Sequence, residues 1–155
     1  MTLKTPSKNQ LGCVTFALHS HLPYVINHGT WPHGTEWLHE AAAETYLPLL
    51  AILGELEQQG CALKANVGLT PILLEQLSHP VFKEEFPKYV TRKIEAAIKD
   101  TDEFTQQGDS HMAKVATFWR KFYQNALRRF EDLHGDIIMG FRKLYESGAI
   151  EIITS

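Results

Sequence analysis

The sequence lacks the features that mark extracellular and membrane proteins. It has only two cysteines among 155 residues, Cys13 and Cys61, which are far apart and belong to no Cys-x-x-Cys motif, so a disulfide framework is not expected. No stretch approaches the roughly 20 apolar residues of a membrane span, and the polar start has no apolar core of a signal peptide. We therefore expect a cytoplasmic protein without a membrane partner.

The sequence also lacks basic clusters. Its 15 basic and 18 acidic residues give a formal charge of -3, and no run of Lys and Arg is longer than a pair such as Arg128-Arg129. Nucleic acid is therefore not expected as the main partner. The hydrophobic content of 44% is enough for one sizeable core, so residues 12–155 are expected to form one domain or part of one, preceded by a polar extension at residues 1–11.

Strand and helix signals alternate along the chain. Short apolar runs predict strands at residues 13–19, 62–67 and 149–155. Apolar periodicity predicts helices between them, with start or break signals at Thr35, Pro48, Thr70, Pro80 and Pro87. A long helix over residues 112–133 has the strongest periodicity, with an apolar stripe typical of core packing. Strands separated by helices run parallel, so we expect an α/β fold with about three parallel strands, the opening portion of a larger barrel.

The first strand presents two different faces. Alternation places Val14, Phe16 and Leu18 on a face expected to pack against helices, and it places Thr15, Ala17, His19 and His21 on the other. Pro23 cannot donate to a sheet, so the strand should end near His21. Both imidazoles then lie at the carboxyl edge of the sheet, where α/β folds bind ligands.

The histidines leave two kinds of site open. Five of them fall within 21 positions (His19, His21, His28, His33 and His39), and a His-x-His pair can serve zinc or iron. No third ligand is marked, because Glu36, Glu40 and Glu44 follow an i, i+4 pattern typical of a solvated helix face. Imidazoles also suit sugar hydroxyls, and the rings nearby can stack on a pyranose: Tyr24, Trp31 and Trp37.

The last predicted strand contains a carboxylate, Glu151, among isoleucines and an alanine. A buried charge needs a partner, so Glu151 is expected to meet His19 or His21 if the strands are neighbours. An exposed glutamate on an edge strand is the alternative.

Four segments together resemble a known family. They are His19-Ser20-His21-Leu22-Pro23-Tyr24-Val25, the run from Trp31 to Leu38, the run from Glu44 to Leu50, and Gly148-Ala149-Ile150-Glu151-Ile152-Ile153-Thr154. In order and spacing they are similar to glycoside hydrolase family 57, and most of all to its 1,4-α-glucan branching enzyme group. Leu22 stands where other members carry glutamine, as in the branching-enzyme variant.

The resemblance implies the N-terminal segment of a (β/α)7 barrel that acts on α-glucans with retention of configuration and without metal or other cofactor. His21 and Glu151 match positions of the sugar-binding pocket, and His19, Trp31 and Trp37 match other pocket-lining positions. The two catalytic carboxylates of the family match nothing in this chain. The segment is therefore expected to be inactive alone and to need the remainder of the catalytic domain.

Three alternatives remain at this point. A family relative could hydrolyse α-1,4-glucans as an α-amylase or disproportionate them as a 4-α-glucanotransferase. The chain could instead be a stand-alone glucan-binding module without catalysis. A metal-dependent deacetylase or hydrolase that uses His19 and His21 is the third.

Overall fold

A computed structural model describes residues 14–61 and 64–154 of the chain. Within these residues three strands form one parallel sheet in the order β1 (Phe16–Ser20), β2 (Ala65–Leu69) and β3 (Ile150–Ile153). The helices are α1 (Thr35–Ala41), α2 (Leu47–Gln58), α3 (Pro71–Ser78), α4 (Pro80–Gln106), α5 (Ser110–Asp132) and α6 (Ile137–Glu146). The predicted α/β arrangement of three parallel strands is confirmed. The predicted extension at 1–11, and Cys13, lie outside the described residues.

The face of β1 that was expected to pack against helices is mostly exposed. Phe16 and Leu18 pair with Ala65 and Val67 of β2 and so lie on the sheet face that the helices cover. Ala65 and Val67 are buried, but Phe16 is 72% exposed, and Val14, just before the strand, is 90% exposed. The core residues that the strands contribute come from β2 and β3, so the helices leave most of this side of β1, one of the two edge strands, uncovered.

The helix after the first loop begins differently from the prediction. Thr35 is its first residue, and Gly34, which makes no side-chain hydrogen bond, is the N-cap. The loop closes here through a hydrogen bond from the Thr35 amide to the Gly29 carbonyl at 3.0 Å. A Cβ at position 34 would collide with that carbonyl, so glycine is required at the N-cap. The cap therefore lies one residue before Thr35, which was expected to fill this role.

The two prolines within helical runs have different effects. Before Pro48 the helix widens into a π-helical turn (Ala42–Tyr46), from which α2 continues, in keeping with the predicted kink or restart. Pro87 was expected to divide two helices, but α4 runs through it. An interior proline costs about 3 kcal/mol. We attribute the continuity of α4 to the burial of Phe82, Phe86 and Val90 around it.

The core lies between the helices and the covered face of the sheet. It includes Val67 and Ile150 from the strands and aromatic side chains from α4, α5 and α6. The predicted stripe on α5 is partly confirmed, because Ala116, Tyr123, Ala126 and Phe130 are buried while Met112 and Trp119 are more than one-third exposed. No helix in the described part of the chain is both long and apolar enough to cross a membrane.

Candidate functional site

The second face of the sheet is open. In-register neighbours on this face are His19, Gly68 and Ile153 in one row and Ala17, Asn66 and Glu151 in the row before it. His19 and Glu151 are both exposed on it. The alternation predicted for β1 therefore places His19 on the face that lacks a helical cover.

The two histidines of the His-x-His motif lie side by side. His19 is in β1 and His21 follows the strand, and their ring centroids are 6.3 Å apart with planes inclined by 26°. Gly68 lies beside His19: a Cβ on it would be in van der Waals contact with Nδ1 of His19 at 3.5 Å and slightly tight against the Leu18 carbonyl oxygen at 3.3 Å. The predicted placement of both imidazoles at the carboxyl edge is confirmed.

Glu151 does not make the contact expected from its apolar neighbours. Strand geometry places its Cα roughly 12 Å from that of His19, two strands across and one row back. Among the described residues its carboxylate has no hydrogen-bond or ion-pair partner. The condition for the expected meeting with His19 or His21, that the two strands be neighbours, is not met, because β2 lies between β1 and β3. The exposed edge-strand alternative describes the observed environment.

The two predicted tryptophans lie together at a separate place. Trp31 is 76% exposed and Trp37 is 42% exposed, and both line a cavity of about 290 Å³ between the first loop and α4. Tyr89 and Lys93 form the α4 side of this cavity, and Pro32, His33, Glu36 and Glu40 complete it. Its volume is close to the lower limit for small-molecule sites. None of His19, His21 and Glu151 lines it.

The three glutamates of α1 and the π-helical turn are not simply a solvated face. Glu36 forms an ion pair with Arg92 at 3.1 Å, and Glu40 lines the tryptophan cavity. The Glu44 carboxylate accepts a hydrogen bond of 2.6 Å from the Tyr123 hydroxyl. Burial and this neighbouring carboxylate raise the pKa of Tyr123. The i, i+4 spacing gave no sign of these contacts because each partner lies on α4 or α5.

Two buried polar residues near the site were not singled out by sequence reasoning. Gln76 on α3 is fully buried and binds the backbone of the loop after His21. His39, previously counted only among the clustered histidines, is buried against α4, and its burial lowers its pKa to about 4. The sequence did contain one indication for Gln76. It is a polar residue between Leu73 and Leu77 in an otherwise mostly apolar helix, a position where burial is expected.

A metal site was the alternative for the histidines. In residues 14–61 and 64–154, no group of three or more histidine, cysteine, aspartate and glutamate side chains is arranged to hold a metal ion. His19 and His21 thus form a pair without a third protein ligand in this part of the chain.

The model of glycosyl hydrolase family 57 matches residues 15–155 of the chain. The chain belongs to this family. It is 38% identical to the 1,4-alpha-glucan branching enzyme TK1436 of Thermococcus kodakarensis over 144 residues. This alignment covers 93% of this chain and 21% of that protein.

Solved family 57 structures share the fold. The chain matches the GH57-type branching enzyme from Pyrococcus horikoshii with a TM-score of 0.86 and 38% identity, covering 90% of this chain and 26% of that one. It matches the alpha-amylase AmyC from Thermotoga maritima with a TM-score of 0.79 and 33% identity, covering 90% and 26%. These neighbours are (β/α)7 barrel enzymes, so the open three-stranded sheet corresponds to a portion of such a barrel. The chain spans only about a quarter of their length.

Proposed function

We propose that this chain is the N-terminal segment of the catalytic barrel of a 1,4-α-glucan branching enzyme, comprising residues 12–155, and that it supplies part of the α-glucan-binding surface. The observation that carries the proposal is the open sheet face, with His19 near its carboxyl edge and Glu151 one row further back on the same face, in a chain of family 57. The 38% identity with a branching enzyme over nearly the whole chain favours branching over the other activities of the family.

The separation of His19 and Glu151 is suited to a ligand between them. At roughly 12 Å between Cα atoms, the side chains are too far apart to pair but can reach opposite sides of one sugar ring. A neutral imidazole donates one hydrogen bond and accepts another, while a carboxylate accepts two or more, and together they match the mixed donors and acceptors of sugar hydroxyls. His21 extends the same edge by one more imidazole.

The tryptophan cavity provides a second type of contact. Flat rings of Trp31 and Trp37 can stack on the C–H faces of a pyranose, and the Glu36 and Glu40 carboxylates beside them can accept hydroxyl hydrogens. We assign this cavity to a neighbouring glucose unit of the same glucan.

Catalysis requires groups that this chain does not supply. Retention of configuration needs two carboxyl groups about 5 Å apart, one to form the glycosyl-enzyme and one to act as acid and then base. Glu151 has no carboxylate neighbour among the described residues of its sheet face. We therefore propose that the remainder of the catalytic domain supplies both groups, that the segment alone is inactive, and that the enzyme works in the cytoplasm.

The decisive experiment is linkage analysis of the product formed from amylose by the complete gene product. New α-1,6 bonds at the expense of α-1,4 bonds are expected. Shortened or redistributed α-1,4 chains without α-1,6 bonds would replace branching by the α-amylase or 4-α-glucanotransferase alternative.

Binding provides a site-specific test of the tryptophan cavity. Stacking on an aromatic ring is expected to contribute much of the binding energy at such a site. Trp37→Ala removes the ring and should therefore raise the Kd for maltoheptaose by about tenfold. Trp119→Ala is the matched control, since Trp119 is similarly exposed but lies on α5, outside the cavity. Equal Kd values for Trp37→Ala and Trp119→Ala would remove the cavity from the glucan site.

A further inference from the structure

A glutamine on α3 binds the loop that follows the histidine pair. Gln76 has no exposed surface, and its side chain crosses to a segment more than 50 residues earlier in the chain. Helix α3 begins directly after β2, where the Thr70 hydroxyl accepts a hydrogen bond from the Leu73 amide. Gln76 thus connects the elements that follow the carboxyl ends of β1 and β2.

The amide makes two hydrogen bonds, one on each side of Tyr24. Its Oε1 accepts from the Val25 amide at 2.7 Å, and its Nε2 donates to the Pro23 carbonyl at 3.1 Å. The orientation of the side chain follows from its partners, because a backbone N–H only donates and a carbonyl only accepts. A neighbouring strand would bind the same two backbone groups, so the side-chain amide of Gln76 replaces a strand where the sheet has ended.

His21 lies between two fixed points of the backbone. On one side, His19 is paired with Gly68 in the sheet, and on the other, Gln76 holds residues 23 and 25. Leu22 and Val25 are buried, whereas His21 is exposed. The backbone on both sides of His21 is therefore held against the fold while its imidazole faces solvent.

We propose that Gln76 is a positioning residue that fixes the direction of the His21 imidazole at the edge of the sheet. The proposal deepens the glucan-binding function above and rests on it for its purpose. Its structural content, that the two hydrogen bonds of Gln76 order residues 21–25, is independent of any sugar. Gln76 itself faces the loop backbone and touches no ligand.

The first test measures hydrogen exchange of the Val25 amide without glucan. Gln76→Leu replaces the amide by an apolar side chain of similar size and removes both hydrogen bonds, so exchange at Val25 should quicken by about tenfold or more relative to the amides of β2. Leu77→Ala is the control, because Leu77 is buried on the same helix and its truncation destabilises the fold while it leaves both Gln76 hydrogen bonds in place. Equal acceleration at Val25 and in β2, or the same pattern in Leu77→Ala, would overturn the proposal.

Gln76→Glu gives a reversible form of the same test. An ionised carboxylate accepts from the Val25 amide but repels the Pro23 carbonyl, whereas a protonated one donates to it as glutamine does. Burial beside a carbonyl raises the pKa of such a group. With intrinsic rates corrected, Val25 exchange in this variant should exceed the wild-type rate at pH 7.5 and return to within about threefold of it near pH 5. A variant-to-wild-type ratio that does not change with pH would show that the donated hydrogen bond is not needed.

The third measurement addresses His21 directly. In Gln76→Leu, the His21 ring resonance in a ¹H–¹³C NMR spectrum should shift or broaden, while the ring resonance of the distant His111 stays unchanged. In the complete protein, the variant should also raise the KM for maltoheptaose, and Gln76→Glu should recover part of the loss at low pH. If the wild type binds no glucan, the proposed function fails while exchange and NMR still decide the role of Gln76. An unchanged His21 resonance would overturn the positioning role.

Discussion

His39 provides a prediction whose size can be worked out from the structure. Its imidazole is 3% exposed and lies 5.4 to 6.2 Å, between ring centroids, from Tyr89, Phe82 and Phe86 of α4. Its Nδ1 is buried and has no hydrogen-bond partner within residues 14–61 and 64–154. Burial lowers its pKa from 6.5 to about 4, a shift that nearby Glu85 and Glu36 partly oppose and that Arg92 supports.

The lowered pKa makes stability depend on pH with a definite sign. Between pH 6.5 and 4 the unfolded chain binds a proton at His39 that the folded chain excludes, so the free energy of unfolding falls as the pH falls. At about 1.4 kcal/mol per pKa unit, the loss relative to pH 7.5 is about 2 kcal/mol at pH 5 and about 3 kcal/mol at pH 4. Above pH 6.5 the contribution is constant.

The substitution His39→Phe isolates this effect. Phenylalanine keeps an aromatic ring among the three α4 rings, removes the unpartnered nitrogen, and cannot titrate. The free energy of unfolding, measured by urea denaturation, should be within about 1 kcal/mol of wild type at pH 7.5. At pH 4.5 the variant should be more stable than the wild type by about 2 to 3 kcal/mol, since only the wild type must exclude a proton.

An exposed histidine provides the control, because its removal should leave the pH dependence of the free energy of unfolding unchanged. His111 is exposed at the start of α5, so His111→Gln should follow the wild-type pH profile. A difference between His39→Phe and wild type that stays constant from pH 7.5 to 4.5 would refute the reasoning. So would a His39 pKa near 6.5 in an NMR titration of the folded protein.

Two further predictions concern packing between helices. Tyr123→Phe removes the 2.6 Å hydrogen bond to Glu44 and should lower the free energy of unfolding by about 2 kcal/mol in urea denaturation, whereas Tyr145→Phe, at an exposed ring, should not. Gly140→Ala places a Cβ 2.7 Å from Leu50 Cδ1 between α6 and α2 and should cost about 1 to 3 kcal/mol. Gly54→Ala, where a Cβ meets nothing within 4 Å, should be neutral or stabilising by up to about 1 kcal/mol, and a destabilised Gly54→Ala would contradict the packing argument.

Periodicity and breaking residues were enough to predict the elements. The three predicted runs overlap the three parallel strands, although β2 begins at Ala65 and extends to Leu69, past the predicted end at residue 67, and the Thr70-Pro71 start of α3 was predicted to the residue. His19 and His21 could be placed on one side of the edge because alternation along a strand is a local property of the backbone. The resemblance to family 57, carried by four short segments, is confirmed by the family match.

Only the tertiary structure decided which predicted site residues lie together. Trp31 and Trp37 share a cavity because the first loop folds against Tyr89 and Lys93 of α4, a contact between segments some 50 residues apart. The continuation of α4 through Pro87, which the proline signal argued against, likewise depends on packing around it.

The long-range partners of the polar residues were equally out of reach of the sequence. The spacing of Glu44 or Gln76 within its own helix carries no information about Tyr123 or the Val25 amide, because their hydrogen bonds depend on how distant elements pack. The same holds for the separation of His19 from Glu151, which is set by β2 lying between their strands. The sequence by itself determined the types and order of the elements, since these follow from neighbours a few positions apart. Packing alone decided which side chains meet.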